Sequence, residues 1–180
     1  MFRFSVKHIF AVIIGVPIFF LLSRFLSIPL YENAMLTLAY AFLGFFAVIY
    51  GPVVGFTVGF IGYILYNFTL FLPLSWSWIF LSAFVGFTTG VIFKPRFIEA
   101  GIFNKENIIR FITGSLIIHA GVWFIIAPIL DIAFYDFSVK IAFLQGLIAG
   151  FCNFGLTAVI GTVLIYGYAK IRFKSIMNGQ

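Results

Sequence analysis

No aspartate, glutamate, lysine or arginine occurs between Glu32 and Lys94. A soluble domain cannot fold from so long a chargeless stretch, because its surface needs interspersed charge. The bias holds for all 180 residues, which are 63% hydrophobic and only 9% charged. Ordinary globular chains carry about 25% charged residues. The solvent for most of this chain is therefore lipid. Lipid offers no partner to backbone N–H and C=O groups, so spans are helices or a closed barrel. These apolar runs are too long and continuous for barrel strands, which alternate over about ten residues.

Six helices are predicted, over residues 6–27, 33–50, 52–71, 75–93, 107–130 and 139–169. Each supplies close to the ~20 apolar residues a span needs, the second being the shortest. Arg3 and Lys7 before the first run resemble a signal peptide's basic region, but "LLSRFLSIPLYE" holds no small-residue cleavage site. The first run is read as a retained span. The expected fold is all-α: a polytopic membrane protein of six transmembrane helices, with residues 1–180 as one integral-membrane domain. The single cysteine, Cys152, lies in an apolar run and excludes an internal disulfide or a cysteine-based zinc site.

Charge placement orients the spans. With the amino terminus inside, nine of the eleven basic residues fall in cytoplasmic segments: Arg3, Lys7, Lys94, Arg96, Lys105, Arg110, Lys170, Arg172 and Lys174. Arg24 and Lys140 remain outside with Glu32, Asp131 and Asp136. Basic loops stay cytoplasmic, so both termini are expected inside.

The stretch "YGPVVGFTVGFIGYILYN" (50–67) carries Gly51, Gly55 and Gly59 at four-residue spacing, then Gly62. Ala142, Gly146 and Gly150 repeat the pattern on the sixth helix, Gly86 and Gly90 on the fourth, Ala11 and Gly15 on the first. Small residues let helices approach closely in lipid. Two readings stand: the stripes seat the chain's own helices, or some dock another membrane protein. Ala11, Gly15, Gly51 and Gly55 are the candidate docking positions.

Polar residues inside spans are costly and therefore informative. They include Tyr63, Tyr66 and Asn67 on the third helix, and Ser115, His119 and Trp123 at four-residue spacing on the fifth. Gln145 and Asn153 follow on the sixth, with Trp76 and Trp78 opening the fourth. Most lie in the outer half and none is charged. The expected site is therefore open to the outside, lined by Tyr63, Tyr66, Asn67, Trp76, Trp78, His119, Trp123, Gln145 and Asn153. Aromatic faces and neutral amides suit a small ring-bearing solute. Interfacial tryptophans and interhelical hydrogen bonds are the plainer explanations of the same residues.

Catalysis is not expected. Ser115 and His119 have no third group to orient the histidine. There is no HExxH, no pair of intramembrane carboxylates and no GxxxxGK[ST] phosphate loop. No cofactor or metal is expected. The chain reads as a binder that is not its own motor.

Five stretches resemble a known family: "GPVVGFTVGFIG" (51–62), "SWSW" (75–78), "VWFIIAPILD" (122–131), "FLQGLIAGFCN" (143–153) and "AVIGTVLIYGYAK" (158–170). Together they resemble the S-components of energy-coupling factor (ECF) vitamin transporters, in the riboflavin-type subgroup, over nearly the whole chain. The resemblance implies a membrane subunit that captures a water-soluble vitamin outside. It also implies delivery through one membrane T-component and two ATP-binding subunits in a bacterial plasma membrane, without nucleic acid. It places Ala11 and Gly15 toward the T-component and assigns kept positions to Trp76, Trp78, Trp123, Asp131, Gln145 and Asn153. Where family members carry His and then Lys-Asp after "GFIG", this chain has Tyr63, Tyr66 and Asn67; a common Asn is His119. The solute is thus left open among riboflavin, pyridoxine, hydroxymethylpyrimidine and cobalamin. Segments 28–33, 71–75 and 131–138 are expected to close over it. The alternatives are a structural or regulatory membrane subunit without a solute, and a stand-alone facilitator.

Overall fold

In the computed structural model the described residues are 5–32, 34–70, 74–93 and 96–178, without the side chains of 96 and 97. Asn33 and Phe71, expected at helix ends, lie outside them, as do Arg3 and Lys94.

Helix α1 (Val6–Phe25) leads into a hairpin of β1 (Ser27–Tyr31) and β2 (Ala34–Thr37). Then come α2 (Ala39–Tyr50), α3 (Pro52–Phe68), α4 (Trp76–Ile92) and the short α5 (Arg96–Glu99). Two long helices follow, α6 (Lys105–Tyr135) and α7 (Val139–Asn178). Helices α1, α6 and α7 are long and apolar enough to cross a membrane, and α2, α3 and α4 are shorter apolar helices. The six match the six expected runs, and an all-helical bundle of this kind fits a membrane protein.

The hairpin corrects the expected second helix, which begins at Ala39 and not at 33. Pro29 removes a helix donor, and Glu32 turns the chain at φ 45°. Ser27 pairs with Thr37, Ile28 with Leu36 and Pro29 with Met35, and an irregularity follows Pro29. Thr37 starts α2 by accepting the Ala39 N–H on its hydroxyl at 3.2 Å. Helix α2, with 12 residues, is about 18 Å long at 1.5 Å per residue. That falls short of a ~30 Å hydrocarbon core. The hairpin precedes it, and non-helical backbone is tolerated at membrane depth where protein buries it or it lines a cavity.

Helix packing follows the small residues. A Cβ on Gly55 would strike the Gly86 carbonyl and one on Gly59 would lie 2.6 Å from the Ser82 oxygen, while Gly90 sits on Pro52. These pairs run α3 antiparallel to α4 with backbones touching. Gly15 faces Val58, and Gly62 faces Phe19, so α1 lies parallel to α3. Gly146 abuts the Trp123 carbonyl and Gly150 the Phe124 ring, seating α7 on α6. Gly51 turns between α2 and α3 at φ 90°, where a side chain would be strained, and Pro52 starts α3 without wasting a donor. Ala11, Gly15, Gly51 and Gly55 are all buried within the chain. Gly15 and Gly55 thus pack against this chain's own helices.

Helix α6 runs past its expected end at 130, so Asp131 lies on a helix and not in a loop. A π-helical segment, Ala120–Ile126, interrupts it, and a second, Thr157–Gly161, interrupts α7. Helix α7 has 40 residues, about 60 Å. Its last turns, beyond the expected end at 169, therefore reach past any single bilayer crossing.

Candidate binding site

A cavity lies beneath the hairpin at one end of the bundle. Ser23 reaches it from α1, Met35 and Thr37 from β2, and Tyr40 from α2. Tyr63 and Tyr66 come from α3, Trp78 from α4 and Asn153 from α7. The empty space, counted to its open mouth, is about 310 Å³. Pockets for ring-bearing solutes measure about 300–1,000 Å³, so this cavity stands at the lower end of that range. Every lining side chain is neutral.

The hairpin roofs the cavity through two contacts. Thr37 donates its backbone N–H to Asn153 Oδ1 at 3.2 Å, and the Tyr66 hydroxyl reaches Met35 Sδ at 2.7 Å. The floor is aromatic. Tyr40 meets Phe19 edge-on at 5.9 Å and Trp123 at 5.5 Å, and the Trp78 and Trp123 rings lie 4.9 Å apart. The Tyr40 hydroxyl shares a 2.7 Å hydrogen bond with Ser82 Oγ, which fixes the ring.

Behind Trp78 stands Asp131, only 2% exposed. Ser77 Oγ donates to its Oδ1 at 2.9 Å, and Gln145 Nε2 to its Oδ2 at 2.6 Å. Trp78 Nε1–H is shared between both oxygens at 3.2 and 3.0 Å. The Ser77 backbone N–H adds a 3.3 Å bond to the Tyr135 hydroxyl.

The structure sorts the expected site residues. Tyr63, Tyr66, Trp78 and Asn153 line the cavity. Trp123 and His119 stand one layer below, both against the Tyr40 ring. Gln145 holds Asp131. Asn67 is buried but faces its own connection, donating to the Tyr63 carbonyl at 3.0 Å and accepting the Ser75 N–H at 3.2 Å. Trp76 is 48% exposed beside Phe80, on the outer face of α4. Trp76 and Asn67 therefore do not line this cavity, and the helical turn between Trp76 and Trp78 points the two rings apart.

Sequence reasoning missed Ser23, Met35, Thr37 and Tyr40. Tyr40 carried a signal, as the one hydroxyl-bearing aromatic inside the apolar run 39–49. Met35 and Thr37 had none while that segment read as helix. Ser115 Oγ, His119 Nδ1, Trp123 Nε1, Gln145 Oε1 and Thr157 Oγ1 are buried without a protein hydrogen-bond partner. Buried polar atoms of this kind are ordinarily met by water or a bound molecule.

The family model described as "ECF-type riboflavin transporter, S component" matches residues 3–170. A "UPF0397 protein" of Clostridium perfringens (strain SM101 / Type A) is 40% identical over 175 residues, covering 96% of this chain and 94% of that protein. One from Lacticaseibacillus casei (strain BL23) is 37% identical over 172 residues, covering 95% and 92%. Another, from Staphylococcus aureus (strain MRSA252), is 34% identical over 171 residues, covering 94% and 93%. The cavity, the helical bundle and the match over nearly its whole length together place this chain in the family of ECF-type riboflavin transporter S components.

Proposed function

We infer that this chain is the solute-capturing membrane subunit of an ECF-type importer. It binds a water-soluble, ring-bearing vitamin from outside the cell and delivers it through a T-component and two ATP-binding subunits. The observation that carries this reading is the neutral aromatic cavity roofed by the hairpin. Tyr40, Tyr63, Tyr66 and Trp78 offer ring faces, and Asn153 offers an amide beside the hairpin contact. Such a lining favours a flat, largely uncharged solute over an ionised one. The solute is riboflavin, pyridoxine, hydroxymethylpyrimidine or cobalamin.

Both termini lie in the cytoplasm of a bacterial cell and the hairpin faces outside. In this orientation most basic residues stay on the inner side. Opening of the hairpin admits the solute, and its return to Asn153 and Tyr66 encloses it. The bundle's sparse charge permits large movement within lipid at low electrostatic cost.

The test is uptake in a bacterial host lacking its own importers for these vitamins. Cells given this chain with a T-component and two ATPases should accumulate one radiolabelled vitamin of the four. Cells given the module alone should not. Equal accumulation with and without the chain overturns the reading.

A further inference from the structure

Asp131 is the one carboxyl group buried in the hairpin end of the bundle among the described residues, and no cationic side chain touches it. Buried carboxyl groups are costly unless their oxygens are satisfied. Here both are, entirely by neutral donors from two other helices: Ser77 and Trp78 on α4, Gln145 on α7. With its oxygens so engaged, Asp131 has little acceptor capacity left for a solute. What the arrangement does is aim the Trp78 indole. One edge of that ring is held by Asp131, its centroid lies 4.9 Å from that of the tilted Trp123 ring, and the ring lines the cavity. A tryptophan of α4 without that hold is free to choose another rotamer, and the cavity wall would change shape with it.

We propose that Asp131 is a positioning residue for solute selection, setting the shape of the cavity by holding the Trp78 indole across from Trp123. It acts through Trp78 and not by contact with the solute. The solute part of this inference rests on the binding function above; the aiming of Trp78 does not.

The carboxyl also distinguishes substitutions. In Asp131→Asn the remaining oxygen can accept from Ser77 and Trp78, while the new amide donates to Gln145 once that side chain turns its oxygen inward. In Asp131→Leu no acceptor is left and three buried donors lose their partner.

Two indoles 4.9 Å apart couple electronically, so their circular dichroism carries a paired positive and negative band that depends on mutual orientation. The expected result is that purified wild type and Asp131→Asn show this couplet and Asp131→Leu does not, with Trp123→Phe and Trp78→Phe as controls that abolish it. Binding is read with riboflavin and pyridoxine as the two probes. For whichever binds wild type, Asp131→Leu should weaken binding about tenfold, equivalent to about 1.4 kcal/mol, and Asp131→Asn should restore most of it. A folded, monodisperse Asp131→Leu that keeps the couplet overturns the proposal, whatever its affinity. If neither probe binds wild type, the couplet still decides the aiming of Trp78, and the failure belongs to those two probes alone. If Asp131→Leu does not fold, the wild type labelled with ¹⁵N-indole decides. The Trp78 N–H, assigned by Trp78→Phe, should resonate downfield and exchange slowly. An unshifted, fast-exchanging Trp78 N–H overturns the proposal.

Discussion

Thr37 donates its backbone N–H to the Asn153 side chain at 3.2 Å, joining the hairpin to α7 across the rim of the cavity. Both groups are buried, so losing the acceptor leaves an unsatisfied amide. Asn153→Ala should therefore free the hairpin without disturbing the helices. The expected readout is hydrogen exchange at the Thr37 amide about tenfold faster, for a bond of about 0.5–1.5 kcal/mol. Unchanged exchange would show that the hairpin is held by other means.

The α3–α4 contact leaves no space at Gly55, whose Cβ would meet the Gly86 carbonyl. Gly55→Leu should part the two helices and abolish monodisperse protein in detergent. An overpacked core commonly costs about 1–3 kcal/mol, and backbone contact leaves nothing flexible to yield. Gly167→Ala, with nothing within 4 Å, should melt at the wild-type temperature or slightly above. A well-folded Gly55→Leu that binds solute but does not transport would instead point to a docking role for this stripe.

Tyr40 and Ser82 share a buried 2.7 Å hydrogen bond beneath the cavity. Tyr40→Phe alone should destabilise the protein by about 1–3 kcal/mol, because Ser82 is left unpaired. Adding Ser82→Ala should recover much of that loss, since removing both partners leaves no orphan. Thermal melts of the wild type, both single variants and the double variant form the cycle that measures the coupling. Additive losses would contradict it.

The two tryptophans that open α4 should separate cleanly. Trp76→Phe changes an exposed ring and should leave solute affinity unchanged. Trp78→Phe removes the Asp131 hydrogen bond and part of the cavity wall, and should weaken binding tenfold or more, about 1.4 kcal/mol or more. Titration of both variants with the solute of the wild type checks this, and equal losses would place the site elsewhere.

The long helices were legible because lipid permits so little else: chargeless runs near 20 residues must be helical. The glycine stripes were legible as close contacts, but their partners were not. Gly55 meeting Gly86 depends on how α3 lies against α4, which spacing along one helix does not encode. The hairpin was hidden because its first strand read as an outer connection, and a short apolar run such as Ala34–Thr37 reads equally as strand or helix. With it went Met35 and Thr37. Asp131 was visible as a charge yet misplaced in an outer loop, since only the continuation of α6 to Tyr135 buries it. Trp76 and Asn67 point away from the cavity, a direction that residue type does not encode.

The most direct test of a solute-capturing subunit needs no variant. The protein is purified in mild detergent from cells grown in rich medium, then denatured, and the released small molecules are identified by mass spectrometry. The account predicts one vitamin, a flavin, a pyridine, a pyrimidine or a corrinoid, in near-stoichiometric amount. Protein that releases none, and that then binds no member of a B-vitamin panel, would contradict it and identify the chain as a membrane subunit without a solute.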